Sequence, residues 1–145
     1  MPRYFTLREA RAALPAVRRD IRDAVQAKGR YQEASGALQE LVQRILMRGG
    51  VLVDRTAAEA WKTQRDAGAQ TLKTTLDRIE ELGVVVKDLD VGLIDFPTLY
   101  RGQEVYLCWR MDEDDIDFWH GTQEGFAGRK LIDSEFLSHH SGDSA

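Results

Sequence analysis

Apolar residues recur at helical spacing through the first 82 residues and switch towards strand-like alternation from Val84. Thr6-Leu7-Arg8-Glu9 is a capping box: Thr6 accepts from the Glu9 N–H and Glu9 reaches back to Thr6, with Phe5 and Ala10 placed as a staple. This first helix is expected to stop near Leu14, because Pro15 disfavours helical geometry in the residue before it. Pro15 then suits the first turn of a second helix. Val17, Ile21, Ala24, Tyr31, Leu38, Val42 and Ile45 form that helix's seam, imperfect at Lys28 and Ser35, where Gly29 and Gly36 allow a bend. Arg48-Gly49-Gly50 supplies a terminal cation and a glycine stop. A second capping box, Thr56-Ala57-Ala58-Glu59, opens a third helix through Trp61, Gly68, Leu72, Leu76, Ile79 and Leu82, closed by Gly83. Residues 15–47 would span about 50 Å and 56–82 about 40 Å. The short link between them predicts antiparallel neighbours, and Ala58, Ala60, Ala67, Gly68 and Ala69 allow close backbone approach.

Four short strands follow, at 84–88, 92–97, 103–110 and 115–120, joined by turns near Asp90-Val91-Gly92, Arg101-Gly102 and 112–115. Alternation puts Val105, Leu107 and Trp109 on one face of the third strand and Glu104, Tyr106, Cys108 and Arg110 on the other. On the fourth, Ile116, Phe118 and His120 share a face opposite Asp117 and Trp119. So small a sheet must pack on the helices. The fold class expected is α+β: a short capped helix, a long antiparallel helical hairpin and a small antiparallel β-meander. Residues 1–133 form a single domain, helical over 1–82 and β-rich over 83–133, and residues 134–145 read as a flexible tail.

Charge divides along the chain. The net charge is −4, but the Arg-rich first 55 residues are basic and everything after Gly83 is strongly acidic. Such a division favours self-complementarity, within the fold or between copies. It argues against nucleic acid as a partner, leaving only a weak RNA contact by the Arg11, Arg18, Arg19 and Arg22 stripe. A solvated helix face is the plainer account of that stripe, with the acidic strand region as its nearest partner. No apolar run is long enough to cross a membrane and the start lacks a signal-peptide core. A single cysteine fits a reducing compartment, so the expected location is cytoplasmic.

The β-rich part concentrates the chemistry, with two of three tryptophans, the only cysteine and one of three histidines. Asp88, Asp90, Asp95, Glu104 and His120 are a carboxylate–histidine group. Of these, Asp88, Asp95, Glu104 and His120 are the candidate ligands for a divalent metal, which could activate water. Alternatively an aspartate orients His120 as a general base. The competing account has the aspartates capping turns and His120 hydrogen-bonded beside Trp119. Cys108 is a nucleophile only if Arg110 or His120 stabilises its thiolate; otherwise it packs as a small apolar side chain. Trp109 and Trp119 either stack a ring-shaped ligand or fill the core. Gly121, Gly125 and Gly128 before Arg129-Lys130 form an anion-binding loop or an ordinary turn.

Tyr4-Phe5-Thr6-Leu7, Leu14-Pro15, Val86-Lys87-Asp88-Leu89-Asp90, Gly92-Leu93-Ile94-Asp95-Phe96-Pro97, Leu107-Cys108-Trp109, Trp119-His120 and Gly125-Phe126-Ala127-Gly128-Arg129 stand together in this chain. In these motifs it resembles the uncharacterised bacterial domain-of-unknown-function family 2203, as far as about Ile132. The family pattern has a Gly-Glu pair where this chain has Met111-Asp112-Glu113-Asp114, with Glu113 one place away. The resemblance implies the extent of the domain and no activity. The leading functional expectation is a non-catalytic cytoplasmic interaction or scaffold module, a homo-oligomer that self-associates through its hairpin. The alternative is a metal-dependent hydrolase or small-ligand-binding protein with its carboxylate–histidine site on the meander.

Overall fold

The computed structural model describes residues 3–47 and 55–143. It contains helix α1 (Leu7–Met47), helix α2 (Arg55–Glu81) and strands β1 (Val85–Asp88), β2 (Leu93–Tyr100), β3 (Gln103–Arg110), β4 (Phe118–Gly121) and β5 (Lys130–Leu131). A short helix α3 (Ser134–His139) and strand β6 (His140–Ser141) follow. The fold is α+β, a long helical hairpin followed by an antiparallel meander in the order β1-β2-β3-β4-β5, with β6 added beside β2. Two compact units divide the described residues: one runs to Arg22 and resumes at Leu76, the other is Asp23–Thr75.

Among the described residues there is no separate first helix. Pro15 lies inside α1, which corrects the break expected at Leu14. Leu7, Ala10, Leu14, Val17 and Ile21 are all buried in one unbroken helical phase, so a break would strip apolar surface from both sides of it. Pro15 and Arg11, whose carbonyl loses its donor, are both exposed, where water can take the missing hydrogen bond. The capping box forms as expected: Thr6 N–H donates to Glu9 Oε1 at 3.0 Å, and Glu9 N–H to Thr6 Oγ1 at 3.1 Å. Thr56, by contrast, lies inside α2, which includes Arg55, so the second box does not mark that helix's start. The Arg48-Gly49-Gly50 stop lies outside the described residues. At the other end of α2, Gly83 adopts φ +91°, with Gly83 N–H on Glu80 O and Val84 N–H on Ile79 O, a Schellman closure.

In the second unit the helices approach closely. A Cβ at Gly68 would stand 3.0 Å from the Ala27 carbonyl and 3.2 Å from the Tyr31 nitrogen. The seam there runs through Ala27 and Ala34, leaving Tyr31 and Val42 exposed. In the first unit Arg78 pairs with Asp20 at 2.8 Å, across the same two helices.

One face of the sheet packs on the first unit's helical segments. Ile94, Phe96 and Thr98 of β2 and Val105, Leu107 and Trp109 of β3 are buried on that face. Phe5 meets Phe96 edge-on at 5.3 Å. Burying each large side chain contributes about 1.5–3 kcal/mol. Trp109 Nε1–H donates to Glu113 O, and Arg18 donates to the carbonyl of Asp114 at 2.7 Å. Arg11 reaches Ile116 O and pairs with Asp115 and Asp117. Two arginines of the basic stripe are therefore spent on the acidic segment before β4, so part of the charge division is answered within the fold.

Strand β2 runs three residues beyond its expected end at Pro97. Its β1 partners reach only Asp95 and its β6 partners begin at Leu99, so the proline sits where one side of β2 is unpaired. The Pro97 carbonyl there accepts from Phe5 N–H at 2.7 Å. The fourth strand begins at Phe118 rather than Asp115, since the segment before it is held by Arg11 and Arg18. Where a flexible tail is expected, α3 buries Phe136 against Tyr100 and Trp119, and His140 Nε2 accepts from Leu7 N–H at 3.1 Å. Tyr4 and Asp143 exchange two hydrogen bonds.

Gly29 and Gly36 have open space where a Cβ would go. Gly29→Ala and Gly36→Ala are each expected to raise stability by about 1 kcal/mol, from helix propensity alone. Gly68→Ala gains the same propensity but drives a methyl against backbone, so chemical denaturation should show it less stable than the parent.

Candidate functional site on the outer face of the meander

The remaining face of the sheet carries the polar residues. Strands β2 and β3 join through Arg101 and Gly102, both at positive φ, and the ladder counted back from that turn sets Asp95 opposite Cys108. Across β3 and β4, His120 stands opposite Tyr106. Strand alternation therefore points Asp95, Tyr106, Cys108 and His120 to one side. Asp95, Cys108 and His120 are all buried, and one donor atom of each lies within 4.8 Å of the others.

His120 Nδ1 lies 2.9 Å from the Gly121 carbonyl, and Nε2 lies 3.0 Å from Asp95 Oδ1. A carbonyl only accepts, so Nδ1 carries a proton, and the second contact needs one more proton, on Nε2 or on the carboxyl. Either way the pair is neutral as a whole. Asp95 Oδ2 is buried and has no hydrogen-bond partner. Burial pushes the Asp95 carboxyl up, opposed by His120, Lys87 and Cys108. Burial, and next the charge of Asp95, push the Cys108 thiol up to about 11, against a hydrogen bond from Arg129.

Arg129 is the cation beside the thiol. It forms a two-pronged pair with Glu113, at 2.9 and 2.7 Å, and lies between the rings of Phe118 and Phe126 at 3.9 and 4.0 Å. Glu113 Oε1 also accepts from Arg110 N–H at the end of β3. Arg110, expected beside the thiolate, instead grips Asp112 at 2.6 and 2.9 Å.

The pair forms the floor of a cleft of about 170 Å³, walled by Lys87, Leu93, Tyr106, Glu124 and Phe126 among others. Lys87 is the extra residue of a β-bulge between Val86 and Asp88, and its ammonium lies 5.3 Å from the Tyr106 ring centre. At the rim, Glu124 accepts from Lys130 and from Gly121 N–H, contacts that hold its carboxyl below the usual range. The glycine run thus turns its first N–H to a carboxylate of the chain itself.

Two expected ligands are elsewhere. Asp88 is exposed, and its Oδ1 accepts from Asp90 N–H in a turn. Glu104 accepts from the Tyr106 hydroxyl at 3.1 Å. Asp95 and His120 do come together, and Cys108 takes the third place.

A family model described as an uncharacterized conserved protein, DUF2203, matches residues 3–132. The chain belongs to this family. The DUF2203 match contains all the strands that build the cleft and ends before α3 and β6. No curated protein and no solved structure matches the chain. No described helix of this DUF2203 member is long and apolar enough to cross a membrane.

A thiol raised from 9.0 to about 11 in the native state favours folding below pH 9, and that contribution is lost as pH rises through 11. At pH 8 the native protein is expected to react with iodoacetamide at least about 100-fold more slowly than the urea-unfolded chain. Comparable rates would show Cys108 to be open and normally acidic.

Proposed function

We propose that this chain is a cytoplasmic binding protein for a small polar ligand, received in the cleft over Asp95 and His120. The observation that carries the reading is the buried Asp95 carboxyl, whose Oδ2 makes no hydrogen bond of ordinary geometry, in the lining of an open cleft. A buried carboxylate–imidazole pair contributes little net stability compared with apolar side chains of similar size, which favours a role for it in recognition. Hydrolytic roles fit less well. Both ring nitrogens of His120 are already hydrogen-bonded, which leaves none free to take a substrate proton. Cys108 is buried and poorly acidic, the opposite of an activated nucleophile. The cleft is below the ~300 Å³ usual for drug-sized ligands, which favours an ion or a very small molecule.

The test is titration of ¹⁵N-labelled protein with imidazole, acetate, glycine and divalent cations. Shifts should cluster at Lys87, Asp95, Tyr106, Thr122 and Glu124 for at least one probe and vanish in the double variant Asp95→Leu/His120→Leu. That variant should unfold within about 1 kcal/mol of the parent or be more stable. Shifts clustered elsewhere, or a loss above about 3 kcal/mol, would assign the pair to the fold.

Self-association through the hairpin is a second reading, favoured by the exposed Val42, Leu46 and Met47 near the end of α1, at 54, 76 and 86% exposure. Light scattering should then give a dimer mass that Leu46→Glu converts to a monomer. A monomer at every micromolar concentration would remove this reading.

A further inference from the structure

We infer that the ligand of the outer-face cleft is a divalent transition cation of the zinc type, held by Asp95, Cys108 and His120. The inference rests on the small-ligand reading above and names its chemistry. One carboxylate oxygen, one sulfur and one imidazole nitrogen form the mixed donor set that borderline-soft cations prefer, whereas Mg²⁺ and Ca²⁺ take oxygen. The three donors come from three adjacent strands, and their mutual separation within 4.8 Å leaves them able to face one ion.

Three further observations point the same way. His120 Nδ1 donates to the Gly121 carbonyl, the outer contact by which a ligating histidine is commonly oriented, and this turns Nε2 towards the carboxylate. Asp95 Oδ2 is buried without a hydrogen bond of ordinary geometry, with the Cys108 thiol beside the carboxyl, and a cation shared with that sulfur would satisfy it. Arg129, which hydrogen-bonds the sulfur, is already paired with Glu113, so it adds little net repulsion.

The exchange balances. The ion enters as the proton shared by Nε2 and Oδ1 leaves, together with the thiol proton. Two protons depart for one dicationic metal, and the site stays neutral: carboxylate and thiolate against the metal's two charges, with imidazole uncharged. Such neutrality matters where all three side chains are buried. Three protein donors are one fewer than a closed tetrahedral site uses, and the remaining position would open to the cleft, where water or a small anion could fill it beside Lys87.

The test uses the full chain, reduced and freed of metal with a chelator, titrated with Co²⁺ under absorption spectroscopy. One equivalent should bind, giving thiolate-to-cobalt charge transfer in the near ultraviolet and four- or five-coordinate bands in the visible, and Zn²⁺ should abolish both. Cys108→Ala, a small apolar replacement suited to a buried strand position, should lose the charge-transfer band. His120→Gln should weaken binding beyond the 10–100-fold that loss of an outer-shell partner costs. Circular dichroism of each variant confirms that it is folded. No saturable binding by the parent, or binding unchanged in both variants, would overturn the inference. If cobalt fails while an organic probe still shifts the cleft resonances, only the metal is refuted. If neither binds there, the broader reading falls as well.

Discussion

The ladder between β2 and β3 is the constraint on which the rest depends. Its eight paired positions put Ile94, Phe96 and Thr98 with Val105, Leu107 and Trp109 on the helix side, and Asp95 with Cys108 on the other. A slip of one residue would turn the aromatic and aliphatic face outward and drive the carboxylate into the apolar core. Burial of Trp109, Phe96 and Leu107 therefore enforces the pairing, and the outer face inherits its geometry from that buried face. The tight turn at Arg101-Gly102, with both residues at positive φ, sets the same register locally.

Around that ladder, charge is arranged in layers. Arg11 and Arg18 fasten the acidic segment before β4 to α1, chiefly through its backbone carbonyls, and so fix where β4 begins. Arg129 then ties Glu113 to the rings of Phe118 and Phe126. The first set holds the segment before β4 in place whatever the protein does. The second set is half-buried, lies beside Cys108, and connects the end of β3 to the loop beyond β4. Guanidinium between two rings is held by dispersion and cation–π attraction as well as by its carboxylate, which makes it a rigid wall rather than a loose counter-ion.

Much of the framework was legible in the residues. The Thr6–Glu9 box, the glycine stop at Gly83 and the two faces of Gln103–Arg110 each follow from local rules that tertiary packing did not override. Pro15 misled because its penalty is local while the apolar phase running through it is not. Asp95 and His120 could be named as candidates from residue type alone, but Asp88 and Glu104 could not be told from them, since sequence does not show which turn or hydroxyl a carboxylate will answer. Cys108, named only as a nucleophile, could have been placed beside Asp95 from the sequence. Carrying β2 to Tyr100 and counting equal steps back from Arg101-Gly102 places it against Asp95. Arg129 gave less warning, because it arrives from a loop whose path no periodicity describes.

The contact between His140 and the first turn of α1 has a consequence for how the molecule is made. Leu7 N–H, one of the orphan donors of a helix start, is answered by a side chain 133 positions later. During synthesis the Leu7 N–H must therefore be answered by water until nearly the whole described chain has left the ribosome, while the Thr6–Glu9 box already caps the rest of that turn. Helical segments and their local cap can form early, but this last bond at the helix start is a closing step, governed by the slow search of distant parts for one another.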